Sequence, residues 1–247
     1  MYDLILFDLD GTLVDTAGDI SDTANDVLLE LGLAAVDESL ARTWIGHGSR
    51  ELMIQAYAHA TGTDAAVLRL GSSVECLMEM FTRFHARRCG QRSTLFPQVR
   101  ESLDALQALD IRMAVLTNRE MRFARAVLEK HELQGYFDPV IAGDTLPAKK
   151  PDALTVDHCL REHGVSRKRT LLIGDSAVDI ATGRNAGIDC WVVPYGYNGG
   201  RPVIEDGPDR MIADLSWIVA AARSCDHDPA KRRNLLLNHS EEIAPWR

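Results

Sequence analysis

Four short polar clusters carry side chains that together make a site for a cation and an anion. Asp8-Leu9-Asp10-Gly11-Thr12 sets two carboxylates two residues apart, with a glycine and a hydroxyl behind them. Thr117-Asn118 offers a hydroxyl and an amide, Lys150-Pro151 an ammonium, and Gly174-Asp175-Ser176-Ala177-Val178-Asp179 two more carboxylates. Hard oxygen ligands of this kind suit Mg²⁺, which keeps several waters in an octahedral shell. Asp8, the main-chain carbonyl of Asp10 and the Asp175 carboxylate are the expected protein ligands. A carboxylate beside such a cation stays ionised and can attack phosphorus, so Asp8 is the candidate nucleophile for an aspartyl phosphate. Asp10, two residues on, is the candidate to protonate a leaving alkoxide and then deprotonate water. Both point into one site only if the turn between them is tight, and Gly11 permits that. Thr117, Asn118 and Lys150 are the candidates to hold the equatorial phosphoryl oxygens. Lys150 also counts as catalytic, because its charge meets the charge that spreads over those oxygens in the transition state.

Each cluster follows a candidate strand, and ligands of open α/β sheets bind at the carboxyl ends of strands. Leu4–Phe7 is a short apolar run, followed later by RMAVL at 112–116, VIA at 140–142, TLLI at 170–173, CWVV at 190–193 and a weak Met211-Ile212. Helical spacing fills the intervals after Pro97, around residues 99–109, 120–131, 152–163, 177–185 and 216–223. This alternation predicts an α/β fold: a Rossmann-like parallel sheet with helices on both faces. Residues 16–92 break the rhythm with long helical stretches at 20–31, 50–60 and 74–87, far more chain than an ordinary crossover needs. They read as a helical cap domain inserted after the first strand. The expected organisation is 1–15 plus 93–225 for the catalytic core, 16–92 for the cap and 226–247 for a tail without periodicity.

The chain has 247 residues and a formal net charge of −9, so its overall field does not favour nucleic acid or an anionic membrane as partner. An anionic substrate has to be held by a local site. The 5 cysteines, at 76, 89, 159, 190 and 225, form no CxxC pair, which points to reduced thiols rather than a zinc cluster or a disulfide framework. The first residues carry no basic lead, and no stretch approaches the ~20 apolar residues that span a bilayer. A cytoplasmic monomer or homodimer acting on a small molecule is the expectation.

Asp8–Asp15 reads DLDGTLVD and resembles the first signature of haloacid dehalogenase-type phosphatases. Thr117-Asn118, Lys150-Pro151 and GDSAVD at 174–179 are similar to the other three, in the same order. The resemblance implies Mg²⁺ dependence, a mobile helical cap and the roles given above. It adds Asp179 as a residue that orients Lys150 or a metal-bound water. Trp44-Ile45-Gly46-His47-Gly48 and the stretch Tyr195–Pro202 look like those of bacterial phosphoglycolate phosphatases. That implies phosphoglycolate as substrate, with Gly46, His47 and Gly48 in a cap loop that senses it. The chain departs from the family where it has Arg119 for Lys, Gln98 for Gly, Ala153 for Pro and His47 for a small polar residue.

Blander roles compete for several of these residues. Thr117-Asn118 is also a good helix N-cap, Lys149 a surface charge, Arg50 part of a solvated helix face and Trp44 cap core. His59, His85, His131, His158, His163, His227 and His239 show no ligand spacing. Two other functions use the same scaffold: a sugar-phosphate phosphatase or phosphomutase, faintly supported by Gly48-Ser49-Arg50, and a catalytically silent binding module. A silent module should have lost Asp8, Asp10 or Lys150, and a dehalogenase lacks the second acid that Asp10 supplies.

Overall fold

The computed structural model describes residues 2–46 and 48–225. His47 and the tail beyond 225 lie outside the described residues. A six-stranded parallel sheet is built from β1 (Leu4–Phe7), β4 (Arg112–Leu116), β5 (Val140–Ile141), β6 (Thr170–Gly174), β7 (Asp189–Val192) and β8 (Arg210–Met211), in the order β5-β4-β1-β6-β7-β8. β1 sits between β4 and β6, and all four of its residues are buried, as a strand covered on both faces requires. Alternation divides them. Ile5 and Phe7 join the cluster formed with α6 (Val99–Ala108), α7 (Met121–Lys130) and α10 (Ser216–Cys225). Leu4 and Leu6 join the opposite cluster, with α8 (Leu154–His163) and α9 (Ala177–Ala186).

Between β1 and β4 the chain passes through a small ribbon, β2 (Val14–Asp15) paired antiparallel with β3 (Thr94–Leu95). Two-residue strands have no periodicity to read, and the sequence does not predict this ribbon. Five helices lie between its strands: α1 (Ala17–Glu30), α2 (Glu38–Arg42), α3 (Ser49–Thr61), α4 (Ala65–Leu70) and α5 (Ser73–Arg88). Two of them, α2 and α4, are additions to the sequence reading. They have 5 and 6 residues, too few to show an apolar stripe, but each starts with an aspartate cap. Asp37 accepts from the Ser39 amide at 2.8 Å and Asp64 from the Ala66 amide at 2.7 Å. The helical block has its own apolar cluster, in which Ile20, Ala24 and Val27 of α1 meet Leu52 and Met53 of α3 and Leu77 and Phe81 of α5.

Candidate active site

The exits of β1, β4 and β6 and the loop before α8 meet at one place. Lys150 is buried there between two acids, with Nζ 2.7 Å from Asp8 Oδ1 and 2.6 Å from Asp179 Oδ1. Asn118 fixes the lysine's segment by donating Nδ2 to the Lys150 carbonyl at 3.1 Å. That carbonyl can only accept, so the buried Asn118 atom left without a partner is Oδ1. Asp179 lies in the first turn of α9. Its Oδ2 accepts from the Ser176 hydroxyl at 2.6 Å and the Ser176 amide at 3.2 Å, which completes a capping box. One carboxylate therefore caps a helix and orients a lysine. Asp175 is buried beside it and accepts from Thr12 Oγ1 at 3.0 Å and the Tyr197 amide at 2.5 Å. Gly11, at φ +91°, turns the chain after Asp10 and lies so near Asp175 that a Cβ would collide with the carboxylate.

Crowding acids in a buried place shifts their titration. Burial pushes the Asp8 carboxyl up to about 7 against the pull of Lys150, and Asp179 adds to the rise. Asp175 is held well above the usual carboxylate range by burial and by the charges of Asp8 and Asp179. Lys150 is buried too, but its two acid partners overcome that cost and hold it protonated above its ordinary value.

Asp10 faces a different neighbourhood. The Arg119 guanidinium grips it, with Nε 2.9 and 3.1 Å from the two carboxylate oxygens and Nη2 2.6 Å from Oδ1. Thr16 donates its hydroxyl to the same Oδ1 at 2.6 Å. Burial alone would raise the Asp10 pKa, but Arg119 and Thr16 hold it below the usual range. Arg119 Nη1 reaches His85 Nε2 of α5 at 2.8 Å. His85 is sandwiched by Phe81 and Phe123, with ring centroids 5.2 and 4.5 Å away. Burial and the Arg119 charge push it down to about 3, so the ring is neutral. Asp8, Asp10, His85, Asn118, Arg119, Lys150 and Asp175 border one cavity of about 110 Å³ between the strand exits and the helical block, walled on the block side by Ile20, Ile45, Leu52 and Phe81. Pockets for drug-sized ligands run to roughly 300–1,000 Å³, so this one suits a small molecule.

The family model of haloacid dehalogenase-like hydrolases matches residues 5–193. The chain belongs to the haloacid dehalogenase-like hydrolases. It is similar to a phosphoglycolate phosphatase of Pseudomonas syringae pv. tomato, 34% identical over 99% of this chain and 94% of that protein. A phosphoglycolate phosphatase of Vibrio parahaemolyticus is likewise 34% identical, over 87% of this chain and 94% of its own. Among solved structures, a predicted phosphoglycolate phosphatase from Haemophilus somnus superposes with a TM-score of 0.81 at 28% identity, covering 89% of this chain and 97% of that one.

Hydrolases of this family are generally metal-dependent, and the donor set fits a hard cation. Oxygens of Asp8, Asp175 and Asp179 lie within 4.8 Å of one another. Asp179 is already committed to Lys150 and the α9 cap, which leaves Asp8 and Asp175 as the carboxylates available. The Asp10 carbonyl is available as well, because the bridge between Asp10 and Val14 uses the carbonyls of Leu9 and Val14 instead. A divalent cation among these oxygens relieves the repulsion that raises Asp8 and Asp175.

Thr117 is buried at the end of β4 and its hydroxyl accepts from the Arg119 amide at 3.1 Å. The structure thus brings Asp8, Asp10, Thr117, Asn118, Lys150 and Asp175 to one cavity, with Asp179 behind Lys150. Gly46 and Gly48 line the same cavity at φ +114° and +94°, flanking His47, which is outside the described residues. Arg50 pairs with Glu75 at the surface, Lys149 is exposed and Trp44 packs inside the helical block. Arg119 and His85 are residues of this hydrolase's cavity that have no role in the sequence reading. Arg119 is noted there only as a departure from lysine, and His85 only as a histidine without ligand spacing. Their partners lie 109 and 34 residues away along the chain, beyond any local pattern. The one available signal was the arginine itself, directly after the Thr117-Asn118 dipeptide.

Proposed function

We propose that the protein hydrolyses a small phosphate monoester, 2-phosphoglycolate, to glycolate and phosphate, using Mg²⁺ and an aspartyl phosphate on Asp8. The observation that carries this reading is the Asp8–Lys150–Asp179 arrangement at the floor of a cavity of about 110 Å³. The full-length likeness to phosphoglycolate phosphatases supports the substrate. An Asp8 oxygen attacks phosphorus and the bond to the leaving oxygen breaks, with Asp10 giving that oxygen its proton. Water then attacks the phosphorus, Asp10 takes a proton from it, and the bond to Asp8 breaks. The ionised form of Asp10 that Arg119 favours is the one this second step needs. Lys150, the Thr117 hydroxyl and the Asn118 amide hold the phosphoryl oxygens. When bound to Asp8, Asp175 and the Asp10 carbonyl, Mg²⁺ supplies charge neutralisation between nucleophile and phosphoryl group. The block of α1–α5 serves as the cap that excludes water from the phosphoenzyme, and Gly46 and Gly48 give its loop the turn that approaches the substrate.

Phosphate release from a panel of esters tests this, with 2-phosphoglycolate, hexose phosphates, phosphoserine and nucleoside monophosphates each assayed with and without EDTA. Preference for 2-phosphoglycolate, lost with EDTA, is the expected result. Weak and even hydrolysis of all esters removes the substrate. A requirement for a sugar bisphosphate activator identifies a mutase instead.

A further inference from the structure

The two ends of the cavity hold their cations differently. Lys150 at the floor is committed to Asp8 and Asp179. Arg119, the other cation among the described lining residues, pairs with Asp10 in a cavity that Ile45, Leu52 and Phe81 also line. Its Nε–Nη2 edge is taken by Asp10, and Nη1 donates to His85 Nε2 at 2.8 Å and to Cys89 Sγ at 3.8 Å. The direction of the bond to His85 is settled by its neighbours. Thr23 donates its hydroxyl to the Asp19 carbonyl at 2.7 Å, so it accepts from His85 Nδ1 at 2.9 Å, which leaves His85 Nε2 as an acceptor for Arg119. The guanidinium is therefore fixed in its plane by groups on both sides. One Nη2 proton, on the end-on edge, has no acceptor among the described residues.

We propose that Arg119 determines specificity by binding the anionic end of the leaving group, with His85 as the positioning residue that keeps the guanidinium aimed at it. This rests on the reading of the site as a 2-phosphoglycolate phosphatase. On that reading the leaving oxygen must reach Asp10, which Arg119 grips, and the carboxylate carbon is only two bonds from that oxygen, so the guanidinium is the cation within its reach. A carboxylate entering an apolar wall without a cation is heavily penalised, whereas the one Nη2 N–H that Asp10 leaves free can donate to it in a charge-assisted hydrogen bond. His85 suits the positioning task because it is an uncharged acceptor. A second cation there would repel Arg119, and an apolar residue would release it. An ester whose leaving group is neutral gains nothing from Arg119 and leaves its proton unpaired.

The test compares 2-phosphoglycolate with its isosteric neutral amide, phosphoglycolamide, as a ratio of kcat/KM on the full chain with Mg²⁺. Wild type should favour the acid by roughly 100-fold, the scale of losing one hydrogen bond to a charged group. Arg119→Met should bring the ratio near unity. Arg119→Lys should retain part of it, since a point charge replaces a fork. His85→Gln, which keeps an acceptor, should preserve the ratio better than His85→Leu, with the loss falling mainly on the KM for the acid. An Arg119→Met enzyme that loses equal activity on both esters overturns the proposal, because the arginine then only props Asp10. If Arg119→Met does not fold, an unchanged ratio in Arg119→Lys and in His85→Leu overturns it equally. A wild type that cleaves both esters alike refutes the specificity role and leaves the phosphatase reading standing. A wild type inert toward 2-phosphoglycolate but active on other esters refutes the substrate reading first.

Discussion

The floor of the cavity and its far end are built on opposite plans. At the floor, charge is dense and shared: one lysine serves two acids, and one of those acids also caps a helix. At the far end a single ion pair, Arg119 with Asp10, stands among aliphatic and aromatic side chains, steadied by a neutral histidine. The floor comes from strand exits and loops of the sheet, and most of the far wall comes from the inserted helices. A transferred phosphoryl group is the same in every ester, so its site can be rigid and fully charged. Leaving groups differ, so the end proposed to meet them needs shape and few polar contacts.

The largest effect is expected at the floor. Asp8→Asn removes the proposed nucleophile and should lower phosphate release by about 10⁴-fold or more while the protein stays folded, as checked by circular dichroism. Lys150→Met comes next. It should cost about 10²–10³ in kcat. It also leaves Asp8 and Asp179 buried without their cation, a loss of about 3–5 kcal/mol in urea unfolding. An Lys150→Met protein as stable as wild type would break the contrast, since it would show the floor to be less tightly coupled than its distances imply.

At the far end the expected signature is a pH dependence. His85 has its pKa depressed from 6.5 to about 3 by burial and by Arg119. Below pH 6.5 the unfolded chain takes up a proton that the folded state refuses, so stability falls as pH falls. Between pH 8 and pH 5 this contributes a loss of about 2 kcal/mol. His85→Gln should remove that part of the acid sensitivity, measured as the difference in unfolding free energy at the two pH values. Equal acid sensitivity in both proteins would mean that His85 is not the neutral brace described.

A smaller effect is expected away from both ends. Gln98 caps α6 at φ +64°, where the haloacid dehalogenase resemblance leads one to expect glycine. Gln98→Gly relieves a left-handed backbone at a side-chain-bearing residue and should raise stability by about 1 kcal/mol, with kcat/KM unchanged. A loss of activity would show that α6 is strained in the service of the site.

Much of this plan is legible in the sequence for a physical reason. Central parallel strands are buried on both faces, so runs such as LILF and TLLI stand out, and the polar residues after them must then lie on one edge of the sheet. The DLDGTLVD stretch adds a turn whose geometry glycine makes plain. What escapes is what depends on distant partners or on very short elements. The sequence leaves two tasks open for Asp179, and only the fold shows its oxygens divided between Lys150 and the Ser176 cap. His85 has the type of a ligand but the surroundings of a core residue, and no spacing rule distinguishes these until α5 is laid beside Arg119. The β2–β3 ribbon is set by pairing between residues 14–15 and 94–95, and nothing near either segment announces the other.

That ribbon has a consequence for how such a chain is altered over time. Val14 opposes Leu95 and Asp15 opposes Thr94, so the helical block leaves and re-enters the sheet domain at neighbouring backbone positions. A segment whose two ends already touch closes its loop at a cost that grows only slowly with length, about 0.6 kcal/mol per doubling. The helices between residues 16 and 93 can therefore be shortened, enlarged or exchanged with little strain on the strands that carry Asp8, Thr117 and Asp175. On the proposed function, selection can remodel the choice of leaving group as a replaceable part, while the phosphoryl chemistry stays in the frame that holds it.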